Sequence, residues 1–342
     1  MSYSILTGRL SKHRIGFNDE IVDARLLSSN PSTHGDIVAL ATNSPLIRVY
    51  NTSSLDARLL PSHADTVLCL DASPDGTVLA SASKDKSARL WMLSSADPTS
   101  EMDWSCVAVA EGHAESVGAL ALSRKDTPSP RFMFTGSQDR TVKMWDISDI
   151  KSASKEPEKL KSFLTLKVHD KDINSLDVAP NDKLLATGSQ DKTANIYEIE
   201  FVAGAKSKGS LKLLGTCKGH KRGVWCVKFS RTERFVATAS GDKSIKLWSL
   251  NDFSCLKVSR LQLSFHIEQL SRFCPALFQT FEGHTNTVLR VDFIAQGQQL
   301  VSTASDGLIK VWAIKDEECV ISLDNHEDKV RLPQPNTDNL GR

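Results

Sequence analysis

A histidine that returns at a fixed distance from an aromatic residue constrains this chain more than any other feature. Six of the nine histidines share similar surroundings: PSHADTV (His63), EGHAESV (His113), KVHDKDI (His169), KGHKRGV (His220), EGHTNTV (His284) and DNHEDKV (His326). After each of the first five comes a turn holding Asp, then a short run ending in Trp or Tyr. These runs are ASKDKSARLW (Trp91), GSQDRTVKMW (Trp145), GSQDKTANIY (Tyr197), SGDKSIKLW (Trp248) and ASDGLIKVW (Trp312). The separations are 28, 32, 28, 28 and 28 residues, and the longer one contains RKDTPSP, a Pro-rich stretch that lengthens a turn. Self-similarity of this kind decides the architecture before single residues are weighed.

Between these landmarks apolar and polar residues alternate as in strands: TVLCLDASP or GVWCVKFS, then VLASAS or LLATGS, then SARLWML or TANIYEI. A weaker fourth run follows the aromatic residue, as in FSCLK or ECVISL. Four strands in about 40–45 residues with such landmarks is the WD-repeat β-propeller pattern, so the expected fold class is all-β. One earlier unit carries Phe17 in the histidine place, Tyr50 in the aromatic place, and a turn with Asn43 but no Asp. It reads as a degenerate blade. The expectation is therefore six four-stranded blades and the start of a seventh at His326, which gives way to RLPQPNTDNLGR and leaves the ring incomplete. The expected organisation is an N-terminal extension over 1–15, the propeller over 16–330, and a disordered tail over 331–342.

The landmarks have a physical task. The turn Asp can accept from the His, the His can bond a strand hydroxyl, and that hydroxyl can meet an indole N–H. The expected sets are His63/Asp85/Trp91, His113/Asp139/Trp145, His220/Asp242/Trp248 and His284/Asp306/Trp312; His169/Asp191 has Tyr197, whose phenol points elsewhere. Such a network is costly when half satisfied, about 1–3 kcal/mol per orphaned group.

Charge and composition exclude several function classes. Lys+Arg number 42 against 41 Asp+Glu, a net charge of +1, which offers no broad basic field for duplex DNA. No run of eighteen apolar residues suggests a membrane span, and the first residues lack the pattern of a secretory signal. Seven cysteines without a C-x-x-C pair fit a reducing compartment. A His–Asp dyad is a familiar general-base device, but this one recurs at the same register in successive units, whereas catalysis needs one constellation. With no P-loop, nucleophile elbow or dinucleotide fingerprint, the chain is expected to be no enzyme and to carry no cofactor. Cys217 and Cys226 flank His220, but their spacing matches no zinc template, so no metal site is expected.

Partner binding through the faces of a rigid disc is the remaining expectation. Lys84, Gln138 and Gln190 precede the turn aspartates and should lie on the face formed by the His-bearing turns. Lys221 and Arg222 stand beside His220, and 151–162 and 205–212 are Lys/Ser-rich insertions. These cations suit RNA or an acidic protein. The plainer reading is solvated loops, because no aromatic residue interleaves with them to stack a base.

Residues 258–279 interrupt the repeat. His220 and His284 are 64 residues apart, and removing these 22 leaves 42, the separation of His284 and His326. One reading is a binding insertion between two blades whose Phe, Leu and Ile permit a partner helix. The other is a translated short intron: Val-Ser is compatible with a donor sequence and FCPALFQ with a pyrimidine-rich acceptor.

The wording of HDKDINSLDVAPNDKLLATGSQDKTANIYEI, GHKRGVWCVKFSRTERFVATASGDKSIKLWSLNDFSCLK, SDGLIKVWAIKDEECV and GFNDEI goes beyond the generic repeat. It resembles the transducin beta-like protein 3 family, WD-repeat subunits of the small-subunit processome associated with U3 small nucleolar RNA. The resemblance covers about residues 16–257 and 280–330. It implies a non-catalytic nucleolar scaffold in ribosome biogenesis, acting in pre-18S rRNA processing. Its partners would be protein subunits of the processome, with contact to pre-rRNA or U3 small nucleolar RNA and none to membranes or small-molecule substrates. The family has two tandem propellers and a C-terminal helical domain, of which this chain resembles the second propeller only. Two alternatives stay open. A G-protein β-like signalling scaffold would need heptads that residues 1–16 do not show. A substrate receptor often carries W-D-x-R, whereas Trp145 is followed by Asp146, Ile147 and Ser148.

Overall fold

Short apolar runs broken by Asp, Gly and Pro turns favour hairpins over helices, and hairpins are what the computed structural model contains. It describes residues 20–28, 37–52, 54, 56–61, 63–93, 104–125, 130–150, 156–203, 208–231, 235–254 and 280–324. Phe17, His326, the 1–15 extension, the 258–279 segment and the 331–342 tail lie outside these residues.

Six blades of four antiparallel strands follow one another along the chain, and one of their sheets gains a fifth, parallel strand. Blade one is β1 (Ile21–Ser28), β2 (Ile37–Thr42), β3 (Leu46–Asn51) and β4 (Ala57–Pro61). Blade two is β5 (Val67–Ala72), β6 (Val78–Ser83), β7 (Ser87–Leu93) and β8 (Trp104–Glu111). Blade three is β9 (Val117–Leu122), β10 (Phe132–Ser137) and β11 (Thr141–Asp146), then β13 (Ser162–Lys167) after a short β12 (Glu158–Leu160). Blade four is β14 (Ile173–Val178), β15 (Leu184–Ser189), β16 (Thr193–Val202) and β17 (Lys208–Lys218). Blade five is β18 (Val224–Phe229), β19 (Phe235–Ser240), β20 (Ser244–Ser249) and β21 (Thr280–Glu282). Blade six is β22 (Val288–Ile294), β23 (Gln299–Ala304), β24 (Ile309–Ala313) and β25 (Glu318–Leu323).

The first strand of each blade packs on the first strand of the next, from β1 through β5, β9, β14 and β18 to β22. Arg290 of β22 then reaches Asp23 of β1 at 2.9 Å, so the last blade meets the first. Six blades of an all-β propeller are what the repeat implied; the expected gap in the ring is instead bridged by this pair, and the start of a seventh blade at His326 lies outside the described residues.

Five apolar clusters lie between consecutive blades. Between blades two and three, Leu90 and Val107 face Leu122, Met133 and Trp145; between blades five and six, Ile245, Leu247 and Phe281 face Val291, Phe293, Leu300 and Trp312. Each fully buried side chain of this size contributes about 1.5–3 kcal/mol. Every second strand carries Ala or Gly, and at Gly188 a close approach of the neighbouring sheet requires it. A Cβ on Gly188 would come within 2.8 Å of Val227 Cγ1 and 2.9 Å of Val224 Cγ1 in the next blade.

Three segments differ from their sequence reading. Part of the Lys/Ser-rich stretch at 151–162 is β12, which pairs in parallel with the outermost strand of blade two (Glu158↔Ala108, Leu160↔Ala110). Leu160 is the reason, since it packs against the blade two–three cluster. The 205–212 stretch runs largely into β17, because β16 and β17 continue as a paired hairpin to Val202↔Lys208. In blade five, Phe253 and Ser254 of FSCLK are not in a strand. Phe253 has φ 57° and lies over Gly215, and Thr280–Glu282 takes the outer edge instead.

Candidate functional site

The landmark histidines occupy one geometry five times. Each follows the outermost strand of one blade yet bonds into the next, so the sequence repeat is displaced by one strand from the sheet. His Nδ1 lies 2.8 Å from Asp85, 2.9 Å from Asp139, 2.8 Å from Asp191, 2.8 Å from Asp242 and 2.9 Å from Asp306, in order along the chain. Nε2 meets a buried hydroxyl at 2.7–2.8 Å: Ser81, Thr135, Thr187, Thr238 and Ser302. The indole N–H of Trp91, Trp145, Trp248 and Trp312 donates to that same oxygen at 2.9, 2.9, 2.7 and 2.7 Å. Where the hydroxyl donates to Nε2, the ring proton sits on Nδ1 and points at the carboxylate. In blade four the Tyr197 hydroxyl donates instead to the Val168 carbonyl at 3.4 Å.

Each turn carboxylate is used on both oxygens. One takes the His and the backbone N–H of the following residue, as Ala64 to Asp85 at 3.0 Å and Lys221 to Asp242 at 2.8 Å. In four of them the other takes the hydroxyl two residues on, Ser87 for Asp85, Thr141 for Asp139, Thr193 for Asp191 and Ser244 for Asp242, each at 2.6 Å, and in Asp306 it takes the Leu308 N–H at 3.1 Å. Burial works against ionising these carboxyls, but the bonds outweigh it and hold Asp85, Asp139, Asp191, Asp242 and Asp306 below the usual range. Burial likewise pushes His113, His169 and His284 below the ordinary imidazole value, ahead of the opposing aspartates. With both ring nitrogens and both carboxylate oxygens bonded, the arrangement has no free valence for a substrate proton. It clamps a turn.

Two buried cysteines are closed in the same way. Cys226 Sγ is 3.6 Å from the Val291 carbonyl, and burial raises its pKa; burial pushes the Cys69 thiol up to about 12. These are protonated, packed thiols rather than thiolate ligands or nucleophiles.

Sequence reading missed a ladder of buried charges on the innermost strands. Arg290 reaches Asp23, Arg25 bonds Asp23 at 2.9 Å and Asp71 at 3.5 Å, Arg124 joins Asp71 at 2.9 Å to Asp177 at 3.5 Å, and Lys228 bonds Asp177 at 3.0 Å. The aspartates also accept from the next blade's backbone: Leu70 N to Asp23 at 3.0 Å, Leu122 N to Asp71 at 2.9 Å and Phe229 N to Asp177 at 2.8 Å. The one visible signal was an Asp inside otherwise apolar strands, in LDASP and LDVAP.

The expected partner-contact residues share one face. Lys84, Gln138 and Gln190 are exposed, and their backbone N–H groups donate to Thr66, Ser116 and Asp172 carbonyls; Gly241 and Ser305 make the same bond to Gly223 and Thr287. That bond holds the position before each turn Asp against the His-bearing turn. The structure brings Gln190 of blade four against Gly223 of blade five, next to exposed Lys221 and Arg222, whereas Lys84 and Gln138 stand on blades two and three. Beside Arg222 lies one residue that sequence reading passed over: Trp225, 36% exposed in an otherwise buried strand.

Comparison with known proteins matches this geometry. The family model described as "WD domain, G-beta repeat" fits residues 56–92, 104–146, 160–198, 211–249 and 276–313, each match beginning near an outer strand and ending at a landmark aromatic. Transducin beta-like protein 3 of Bos taurus is 42% identical over 232 residues, covering 66% of this chain and 26% of that protein. U3 small nucleolar RNA-associated protein 13 of Saccharomyces cerevisiae is 36% identical over 201 residues, covering 56% of this chain and 23% of that protein. Nuclear distribution protein nudF of Aspergillus niger is 28% identical over 281 residues, 75% of this chain and 51% of its own length. The chain thus spans about a quarter of the length of the first relatives it matches.

Proposed function

The chain belongs to the WD-domain, G-beta repeat family, and from that premise we propose that it is a non-catalytic scaffold in ribosome biogenesis. In this reading it acts with the small-subunit processome in the nucleolus, toward pre-18S rRNA, through protein subunits and contact with pre-rRNA or U3 small nucleolar RNA. The observation that carries the reading is the 42% identity to a transducin beta-like protein 3, together with a yeast relative named for association with U3 small nucleolar RNA. The identity to nudF is much lower at 28%, although that match covers more of the chain. A scaffold is what the geometry suits: the His–Asp pairs hold turns in place, and variable side chains stand on the surface those turns create. Lys84, Gln138, Gln190, Lys221 and Arg222 are the proposed contact residues. Asp146 offers no support for a substrate-receptor role, because its Oδ1 is occupied by Ser148, with N–H at 2.9 Å and Oγ at 2.6 Å.

Proximity labelling in cells tests the proposal. Nucleolar signal with enrichment of pre-ribosomal proteins is the expected outcome. A diffuse cytoplasmic signal without such proteins would overturn it in favour of a signalling or substrate-receptor scaffold.

A further inference from the structure

We propose that Trp225 and the cations around it form a stacking platform for a single-stranded polynucleotide on blade five. The second residue of the first strand is Leu68, Gly118, Asn174 and Leu289 in blades two, three, four and six, all partly buried; in blade five it is Trp225, and it is exposed. The other five tryptophans are at most 5% exposed, so this indole alone faces solvent to a useful degree. A glycine makes room for it. Gly241 occupies the place held by Lys84, Gln138, Gln190 and Ser305 elsewhere, and a Cβ there would lie 3.3 Å from Trp225 Nε1 and 3.4 Å from Arg222 Cβ. The indole and the arginine stem therefore lie side by side over bare backbone.

Charge and polarity around this pair point to one ligand class. Lys221, Arg222 and Lys243 are exposed on the same blade, and none pairs with a carboxylate among the described residues. Next to them, Asn174 Nδ2 donates to the Val224 carbonyl at 2.8 Å and lies 3.4 Å from Gln190 Oε1, leaving amide groups at the rim. A peptide anchor seeks an apolar pocket, but the surroundings here are glycine, amides and cations. A base needs a flat π surface, and its backbone needs uncompensated positive charge. The platform rests on the scaffold reading only for the choice of RNA over DNA.

The test uses the purified full chain with dodecauridylate, dodecathymidylate and polyglutamate. Either oligonucleotide should quench the tryptophan fluorescence, and tighter binding of the uridylate ties the platform to RNA. By anisotropy of labelled oligonucleotide, Trp225→Ala should weaken binding about tenfold or more, while Trp225→Phe keeps affinity within about threefold because the ring still stacks. Lys221→Glu with Arg222→Glu should lower the dependence of log affinity on log salt by about 1.4. Unchanged melting temperatures establish that the variants are folded. Binding of polyglutamate but of neither oligonucleotide would overturn the proposal, as would wild-type affinity in folded Trp225→Ala. Pre-ribosomal labelling that fails while quenching persists would instead remove the scaffold reading and leave the platform standing.

Discussion

Blades five and six are written in the same register, yet they turn very different faces to what comes next. In blade five, Ile245 and Leu247 are 0% exposed and Phe281 is 1% exposed, all packed on blade six. By strand register, Ile309, Val311 and Leu323 hold those places in blade six. Ile309 and Val311 are only partly buried, and Leu323 is 41% exposed. The inner strands repeat the contrast. Asp71 and Asp177 accept backbone N–H groups from the following blade, while Asp292, at the same strand position, accepts from Phe293 of its own strand at 2.8 Å. Burial accordingly raises the Asp292 pKa, whereas Asp71, with Arg124 and Arg25 beside it, is held low against the same penalty. Among the described residues, five interfaces are apolar and the sixth is joined by the Arg290–Asp23 pair. A repeat unit draws its stability from its neighbours, so identical wording gives unequal interfaces.

The sharpest break would come at that ion pair. Asp23→Ala leaves Arg290 without its buried partner, leaves Arg25 with Asp71 alone at 3.5 Å, and removes the acceptor of Leu70 N–H, which is expected to cost about 3–5 kcal/mol in urea unfolding. A loss below about 1 kcal/mol would mean that the seam contributes nothing to the fold. Leu247→Ala at the packed interface is expected to cost about 2–5 kcal/mol, and Val311→Ala at the equivalent place in blade six under about 1 kcal/mol. Equal losses at the two sites would erase the distinction between the interfaces.

A smaller effect separates the blades by their clamps. Asp242→Ala leaves His220, Lys221 N–H and Ser244 without their acceptor and is expected to cost about 1–3 kcal/mol. Asn43→Ala in the corresponding turn of blade one, where no His–Asp bond exists to lose, should stay within about 0.5 kcal/mol. An unchanged melting temperature in Asp242→Ala would show that the clamp carries no load.

The fold was legible because its signal is periodic: His63 through Trp312 repeat one spacing, and each strand between turn residues is six or so residues long. The proposed clamps were legible for the same reason, since an isolated His–Asp pair has many readings and five in register have few. The charge ladder was not, because Arg25, Arg124, Lys228 and Arg290 occupy no common position and meet their aspartates only across blades. Trp225 was hidden by its setting, as GVWCVKFS reads as buried throughout. Its exposure depends on Gly241, sixteen residues later, and no local pattern links them. The β12 strand escaped for a similar reason: a single leucine in a Lys-rich stretch found a groove on another blade.

The mildest expected effect is a pH dependence confined to the clamped blades. His113, His169 and His284 are held neutral, with folded pKa values below the unfolded value of about 6.5. Above that value neither state binds the proton, and the stabilisation is fully present. As pH falls through 6.5 toward the folded values, the unfolded chain takes up protons first, so stability must decline. The turn aspartates do not blur this window: their folded values are depressed too, so their contribution fades only below the ordinary carboxylate range of about 4. Between pH 7 and pH 5 the three histidines should therefore lower the melting temperature, and because the raised Asp292 pKa works in the opposite sense, the comparison is made in an Asp292→Asn background. Hydrogen exchange, corrected for its intrinsic pH dependence, should show β10 and β11 losing protection while β2 and β3 of blade one, which carry no such histidine, lose none from local opening. A flat melting temperature across that range would mean that the imidazoles are not held neutral. Equal loss in blade one would mean that acid acts on the ring as a whole, with no distinction between clamped and unclamped blades.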